Sequence, residues 1–265
     1  MPFSIQSVVL DGLNSQSALV HATSPRYFET SEGQKRPLNF GRNEDGRISP
    51  EHQRLFFRSL NIGSDQAFMV QQTHSDRVHV MKDPAQSSEA LSSVKADAVL
   101  THLVDRPIAV LTADCLPVVL YDPRNHVAGV VHAGRQGTAG RILSKAVTAL
   151  KKEYGTQGED LLAGMGPGIG GCCYEVDEEC IRPFQKKYAG WKSFAMKGNE
   201  GKYMLDLCQA NEQDALSAGI LPGNIFRSGQ CTSCEKGRFF SYRREGTSGR
   251  MMTVAMLRPD KNSGS

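Results

Sequence analysis

A mixed-sheet α/β sandwich is the fold class that this sequence predicts, organised as one catalytic domain over residues 1–265. Three observations predict it. Short β-branched or apolar runs alternate with segments of helical periodicity through the middle of the chain. Two of those runs, Ile108–Leu111 and Val127–Val131, are almost continuously apolar, as strands covered on both faces are. Segments toward the C-terminus look hairpin-like, which argues against a purely doubly wound sheet.

Taken in order, residues 28–50 (FETSEGQKRPLNFGRNEDGRISP) are polar and aperiodic and read as one long loop. Ala67–Gln71, Ala98–Thr101, Ile108–Ala113 and Val127–Val131 are bounded by turn residues and read as strands. Helical spacing appears over Ala139–Tyr154, Asp177–Lys187 and Asp206–Ala218. Asp206 is placed to cap the last of these, and Gly219 to end it. The closing DKNSGS, residues 260–265, reads as a frayed tail.

Composition excludes several classes. Hydrophobic residues at 39% and charged residues at 22% are a globular balance, neither disordered nor fibrous. A net charge of +3 with no extended Lys/Arg run offers no concentrated patch for nucleic acid. MPFSIQSVVLDGL lacks the basic start and apolar stretch of a signal peptide. Asp114 interrupts the apolar stretch Ile108–Leu120, well short of the roughly 20 residues a bilayer requires. A cytoplasmic protein without membrane or nucleic-acid partners is expected. In that setting the seven cysteines are expected as free thiols or metal ligands rather than disulfides.

The chemistry concentrates at strand ends. His74 follows AFMVQQ, Cys115 follows IAVLTAD and His132 closes VAGVV, the region where side chains from different strands converge in α/β sheets. Two imidazoles and a thiolate match a catalytic zinc with a fourth position left open. Asp76 and Asp114 lie beside these ligands and could orient an imidazole or carry protons. Downstream of His132, AGRQGTAGR leads into a helix, so Gly137 and Thr138 offer an anion site beside the metal. In FFSYRREGTSGR, Arg243 and Arg244 stand between an aromatic strand and a glycine turn. One of the two must face inward, where a guanidinium holds a carboxylate or phosphate.

Other motifs give less. GMGPGIGG contains G-x-G-x-x-G, but Pro167 and the extended CCYEV that follows deny it the helix a dinucleotide site requires. Cys231 and Cys234 form a lone CxxC. The adjacent Cys172–Cys173 pair lacks the spacing of a second half of a zinc knuckle, so these thiols read as incidental.

Together QQTHSDRV, KADAVLT, LTADCLPVVL, VHAG, GPGIGGCCYEV and FFSYRREGTSGR resemble the laccase-domain or polyphenol-oxidase-like family. Its members are described as purine nucleoside phosphorylases with adenosine deaminase activity. The likeness runs from about Asn39 to the C-terminal strand, and Asn39 enters the expected substrate-binding set through it. It implies the α/β sandwich shared with a deamidating toxin, and a metal on His74, Cys115 and His132. That metal is expected to be zinc, with copper as the alternative. It also implies phosphorolysis of adenosine, inosine, guanosine and methylthioadenosine, and deamination of adenosine. One departure stands out: where the family reads H-A-G-W-R-G-T, this chain has Arg135 and Gln136 in place of Trp-Arg. On an extended segment that shift would turn the cation to the opposite face.

Rival classes separate on ligand count. A copper oxidase of phenols would need clustered His and Met ligands for several ions, beyond three dispersed residues. A quality-control hydrolase of cell-wall (peptidoglycan) precursors, also attributed to relatives, would use the same Cys and His as nucleophile and base.

Overall fold

The computed structural model describes residues 3–43, 46–246 and 249–259, so the tail at 260–265 lies outside the described residues. From the N-terminus the chain runs through β1 (Phe3–Ser4), α1 (Asp11–Asn14), β2 (Leu19–Thr23), β3 (Tyr27–Thr30) and β4 (Lys35–Pro37) to α2 (Pro50–Ser59). The middle holds β5 (Val78–Met81), α3 (Ser88–Ser92), β6 (Ala98–Thr101), β7 (Ile108–Thr112), β8 (Leu116–Asp122) and β9 (Val127–Ala133). Then come α4 (Arg135–Ala139), α5 (Ile142–Tyr154), β10 (Leu162–Met165), β11 (Glu175–Asp177) and α6 (Glu178–Lys187). The last elements are β12 (Ala195–Lys197), β13 (Lys202–Leu205), α7 (Leu207–Ser217), β14 (Ile225–Arg227), α8 (Tyr242–Glu245) and β15 (Met251–Leu257).

The central sheet has the order β14-β10-β8-β9-β6-β5. Its β5–β6 and β10–β14 pairs are parallel and the others antiparallel, the mixed sheet expected from the sequence. Ile142, Leu143, Ala146, Val147 and Leu150 recur at helical spacing on α5 and bury against one face, meeting Leu100, Val118 and Val131. Val99, Val119 and Val130 point the opposite way and meet Val110, Ala255 and Leu257 of the β2-β15-β7 sheet. The outer face of that sheet, through Ala109, Val254 and Met256, is closed by Phe56 and Phe57 of α2. The result is a stack of helix, sheet, sheet and helix. It explains why β8 and β9 are apolar along their whole buried length.

Local signals behave as their chemistry dictates. Ser49 and Asp206 cap α2 and α7 by accepting the N–H groups of His52 and Gln209. Three expectations change. The segment 28–50 is not all loop, because β3 and β4 form an exposed hairpin whose charged residues mask its strand pattern. Ala67–Gln71 is extended without being a ladder strand, joining β7 only through the isolated Phe68–Ile108 bridge. Beside it the Gln72 side chain takes the place of a backbone neighbour, donating to Leu111 O at 2.9 Å and accepting Leu111 N–H at 2.8 Å. The helix expected at Ala139 begins at Arg135 and breaks at Arg141, which has φ +63°. Arg141 Nε donates at 2.7 Å to the buried Asp214 of α7, holding the break in place.

One buried histidine ties this framework to pH. His21 of β2 is 5% exposed, and its Nε2 accepts the Leu10 N–H at 3.0 Å. Burial lowers its pKa from 6.5 to about 4. The unfolded chain therefore binds a proton that the folded chain refuses between those values. Stability from this group is complete above pH 6.5 and is lost as pH falls toward 4. Urea unfolding at pH 7 and pH 4.5 should show a loss of up to about 3 kcal/mol from His21. His21→Gln should flatten that slope; identical slopes in both proteins would remove His21 from the account.

Candidate metal centre and substrate cleft

Cys115 lies in the tight turn between β7 and β8, and His132 sits next to last in β9. Because β8 and β9 pair antiparallel with Pro117 opposite His132, the start of one strand meets the end of the other. His74 arrives from the loop before β5 in a left-handed conformation, φ +57°. The ligand atoms of His74, Cys115 and His132 all lie within 4.8 Å of one another. The two imidazoles meet edge to face with centroids 4.9 Å apart.

The fit to a cation is specific. A Cβ on Gly134 would sit 2.9 Å from Cys115 Sγ and 3.3 Å from His74 Cδ2, so only glycine lets the backbone pass this close to the ligands. Burial opposes ionising Cys115, but the charge and hydrogen bonds of His132 and His74 outweigh it and bring the thiol down to about 6. Burial likewise opposes protonating His132, yet the Cys115 thiolate and Asp97 raise it to about 9. The trio thus favours a thiolate facing positive charge, the arrangement a bound cation would take over on displacing the protons. His132 is buried, Cys115 half-buried and His74 exposed, leaving one side of the centre open to the cleft.

Sequence reasoning missed the residue that builds this centre. Asp97, fully buried just before β6, accepts from His132 Nδ1 at 2.8 Å. It also accepts from the backbone N–H groups of Thr73, His74 and Ser75 at 3.2, 3.0 and 2.7 Å. Burial works against its charge, but these donors hold its carboxyl well below the usual carboxylate range. It fixes the His132 tautomer, presenting Nε2 to the metal position, and clamps the His74 loop.

The centre opens into a cleft of about 1280 Å³. Arg42, Arg135, Arg243 and Arg250 line it against the single carboxylate of Asp114 among the described residues, with the rings of Tyr174 and Tyr242 alongside. Asp114 is committed within the wall, with Oδ1 accepting the Thr232 hydroxyl at 2.7 Å and Oδ2 the Arg243 N–H at 2.6 Å. Asp76 stands outside the trio and does not line the cleft, pairing instead with Lys145 Nζ at 2.5 Å.

The remaining predicted residues divide. Arg243 and Arg244 lie on the helical turn α8 rather than on a strand. Arg243 nevertheless faces the cleft, its guanidinium 5.1 Å from the Tyr174 ring centre. Arg244 turns inward and donates to the carbonyls of Thr232, Ser233 and Phe239 at 2.7, 2.9 and 2.8 Å. Gly137 and Thr138 are buried inside α4 rather than exposed at its start, and Asn211 Nδ2 donates to the Thr138 hydroxyl at 2.9 Å. Asn39 braces the wall, its Oδ1 accepting from Gly41 N at 2.7 Å and Arg250 N at 2.9 Å. Arg135 is helical, not extended, so the one-residue shift from the family pattern rotates its side chain by about 100° instead of inverting it. It still lines the cleft.

Fold and site together define an α/β sandwich protein with a His-Cys-His centre at the floor of an arginine-rich cleft. The chain belongs to the family described as multi-copper polyphenol oxidoreductase laccase, matched over residues 20–258. It is 30% identical over 258 residues to a purine nucleoside phosphorylase of Bacteroides thetaiotaomicron, covering 93% of this chain and 94% of that one. It is 38% identical over 202 residues to adenosine deaminase RL5 from an unknown prokaryotic organism, covering 73% and 76%. The crystal structure of Bacillus licheniformis hypothetical protein YfiH superposes with a TM-score of 0.84 at 31% identity, over 97% of this chain and 99% of that one. Among the described residues no helix is long and apolar enough to cross a membrane.

Proposed function

We propose that the chain acts as one catalytic domain, a purine nucleoside phosphorylase that also deaminates adenosine at a zinc centre. The observation that carries this reading is the cleft wall: among the described residues, four arginines stand with the single carboxylate of Asp114, opening on the His74–Cys115–His132 centre. Such a wall binds an anion. Phosphate held by Arg243 and its neighbours would form a bond to the anomeric carbon of adenosine, inosine, guanosine or methylthioadenosine. The bond from that carbon to the purine nitrogen breaks, and its electron pair leaves on the base. Tyr174 and Tyr242 offer aromatic faces to the purine. Zinc bound there would supply Lewis-acid activation of water for deamination, in which ammonia leaves the purine ring. Asp114 acts by positioning Arg243, since both its carboxylate oxygens are engaged. The relatives' names, purine nucleoside phosphorylase and adenosine deaminase, support both halves of the reading.

With inosine, hypoxanthine release should require inorganic phosphate and yield ribose 1-phosphate, whereas adenosine should give inosine without phosphate. Arg243→Ala should raise the phosphate KM by roughly one to two decades, the ~1.5–3 kcal/mol of a charge-assisted contact. Arg244→Ala should instead lower stability, because its guanidinium satisfies buried carbonyls. Purine release at an unchanged rate without phosphate would make the protein a hydrolase. No release at all would leave Cys115 and His132 as nucleophile and base toward a cell-wall precursor.

A further inference from the structure

The four cysteines read as incidental from their spacing are not dispersed. The sulfurs of Cys172, Cys173, Cys231 and Cys234 all lie within 4.8 Å of one another. Cys172 is 3.7 Å from Cys173 and 3.6 Å from Cys234, and Cys173 is 3.4 Å from Cys234. These separations far exceed a disulfide bond of about 2.0 Å. They approach the ~3.8 Å between sulfurs around a tetrahedral zinc with Zn–S of about 2.3 Å. Adjacent cysteines can share one ion here because residues 171–173 form a turn that brings both thiols to the same side.

We infer that Cys172, Cys173, Cys231 and Cys234 form a second metal centre, a tetrathiolate site for a soft divalent ion such as zinc. It shares no ligand with the His74–Cys115–His132 centre. The surroundings suit bound thiolates. Cys231 Sγ accepts the Gly170 N–H at 3.2 Å, a contact that stabilises sulfur carrying negative charge. Thiols gathered this closely give up their protons to a cation they coordinate together. Four sulfur donors with no imidazole or carboxylate select a soft, tetrahedral ion. All four ligand positions are filled by protein, so the site is structural rather than catalytic.

Its position gives it a role as a brace. One ligand strip runs directly into Tyr174, whose ring lies under the Arg243 guanidinium at 5.1 Å. The other carries Thr232, whose hydroxyl donates to Asp114, and Asp114 in turn accepts the Arg243 N–H. Without the metal, these strips are joined through Thr232 N to Gly168 O at 3.0 Å and the Gly168–Cys231 bridge. A bound ion would lock both sides of the Arg243 pocket.

Elemental analysis of the full chain, expressed with zinc and purified without chelator, tests this independently of any activity. Two zinc ions per chain are expected. Cys115→Ala should keep one, and Cys231→Ser/Cys234→Ser should keep the other while melting several degrees lower. Should the double variant fail to fold, cobalt loaded into the Cys115→Ala protein provides the second measurement. It should show strong sulfur-to-cobalt charge transfer and the intense visible bands of tetrahedral thiolate. One ion in the wild type with none in Cys115→Ala, a cobalt spectrum without thiolate bands, or a native disulfide within the cluster would each overturn the second centre. None of these results depends on whether the protein cleaves nucleosides.

Discussion

Replacing Cys115 by alanine is expected to remove the ion from the His74–Cys115–His132 centre and to lower adenosine deamination by about three orders of magnitude. That factor corresponds to the several kcal/mol of transition-state stabilisation that a Lewis-acidic metal supplies. His74→Ala should act in the same direction, because a metal held by three protein ligands loses much of its affinity with any one of them. Stability should respond far less. Cys115 is only half-buried and His74 is exposed, so neither truncation opens a void in the cores built around β8 and β9. Metal content by elemental analysis, turnover of adenosine and thermal melting should therefore separate cleanly. A Cys115→Ala protein that is metal-free at this centre yet fully active would remove the ion from the chemistry.

That separation rests on residues the sequence displays openly. The continuous apolar character of β8 and β9 reflects burial on both faces, so periodicity alone marks them as central strands. Cys115 directly precedes β8 and His132 lies near the end of β9, so their proximity follows from the hairpin register. What stayed hidden depends on contacts distant along the chain. Asp97 looks like a turn residue before AVLT, and its function exists only once the 73–75 segment folds over it. An ionisable residue directly before a fully buried strand was the available signal. The cysteine cluster is hidden for the same reason, since 61 residues separate Cys173 from Cys234. Arg243 and Arg244 show a subtler limit. Alternation on a strand predicts that the inward one holds the anion, but both lie on a helical turn, and it is Arg243 rather than the inward Arg244 that lines the cleft.

The second large effect is expected at Asp97, and two substitutions distinguish its two roles. Asp97→Asn keeps the volume but presents an amide NH2 where two oxygens now receive His132 Nδ1, three backbone N–H groups and the Ser75 hydroxyl. One donor must then face another donor. His132 loses the carboxylate that fixes its tautomer and strengthens its Nε2, and affinity for the metal should fall about 10–100-fold. Competition against a chelator of known affinity reads that change directly. Asp97→Ala removes every acceptor at a site with no exposure, leaving His132 and the 73–75 backbone unpaired. This should cost about 3–5 kcal/mol of folding stability, measured by chemical denaturation of the metal-free protein. The asparagine variant, which still accepts through one oxygen, should lose a smaller part of that. If Asp97→Asn binds metal as tightly as the wild type while Asp97→Ala merely unfolds, then Asp97 is a structural clamp for the His74 loop. Its hydrogen bond to His132 would then not tune the metal.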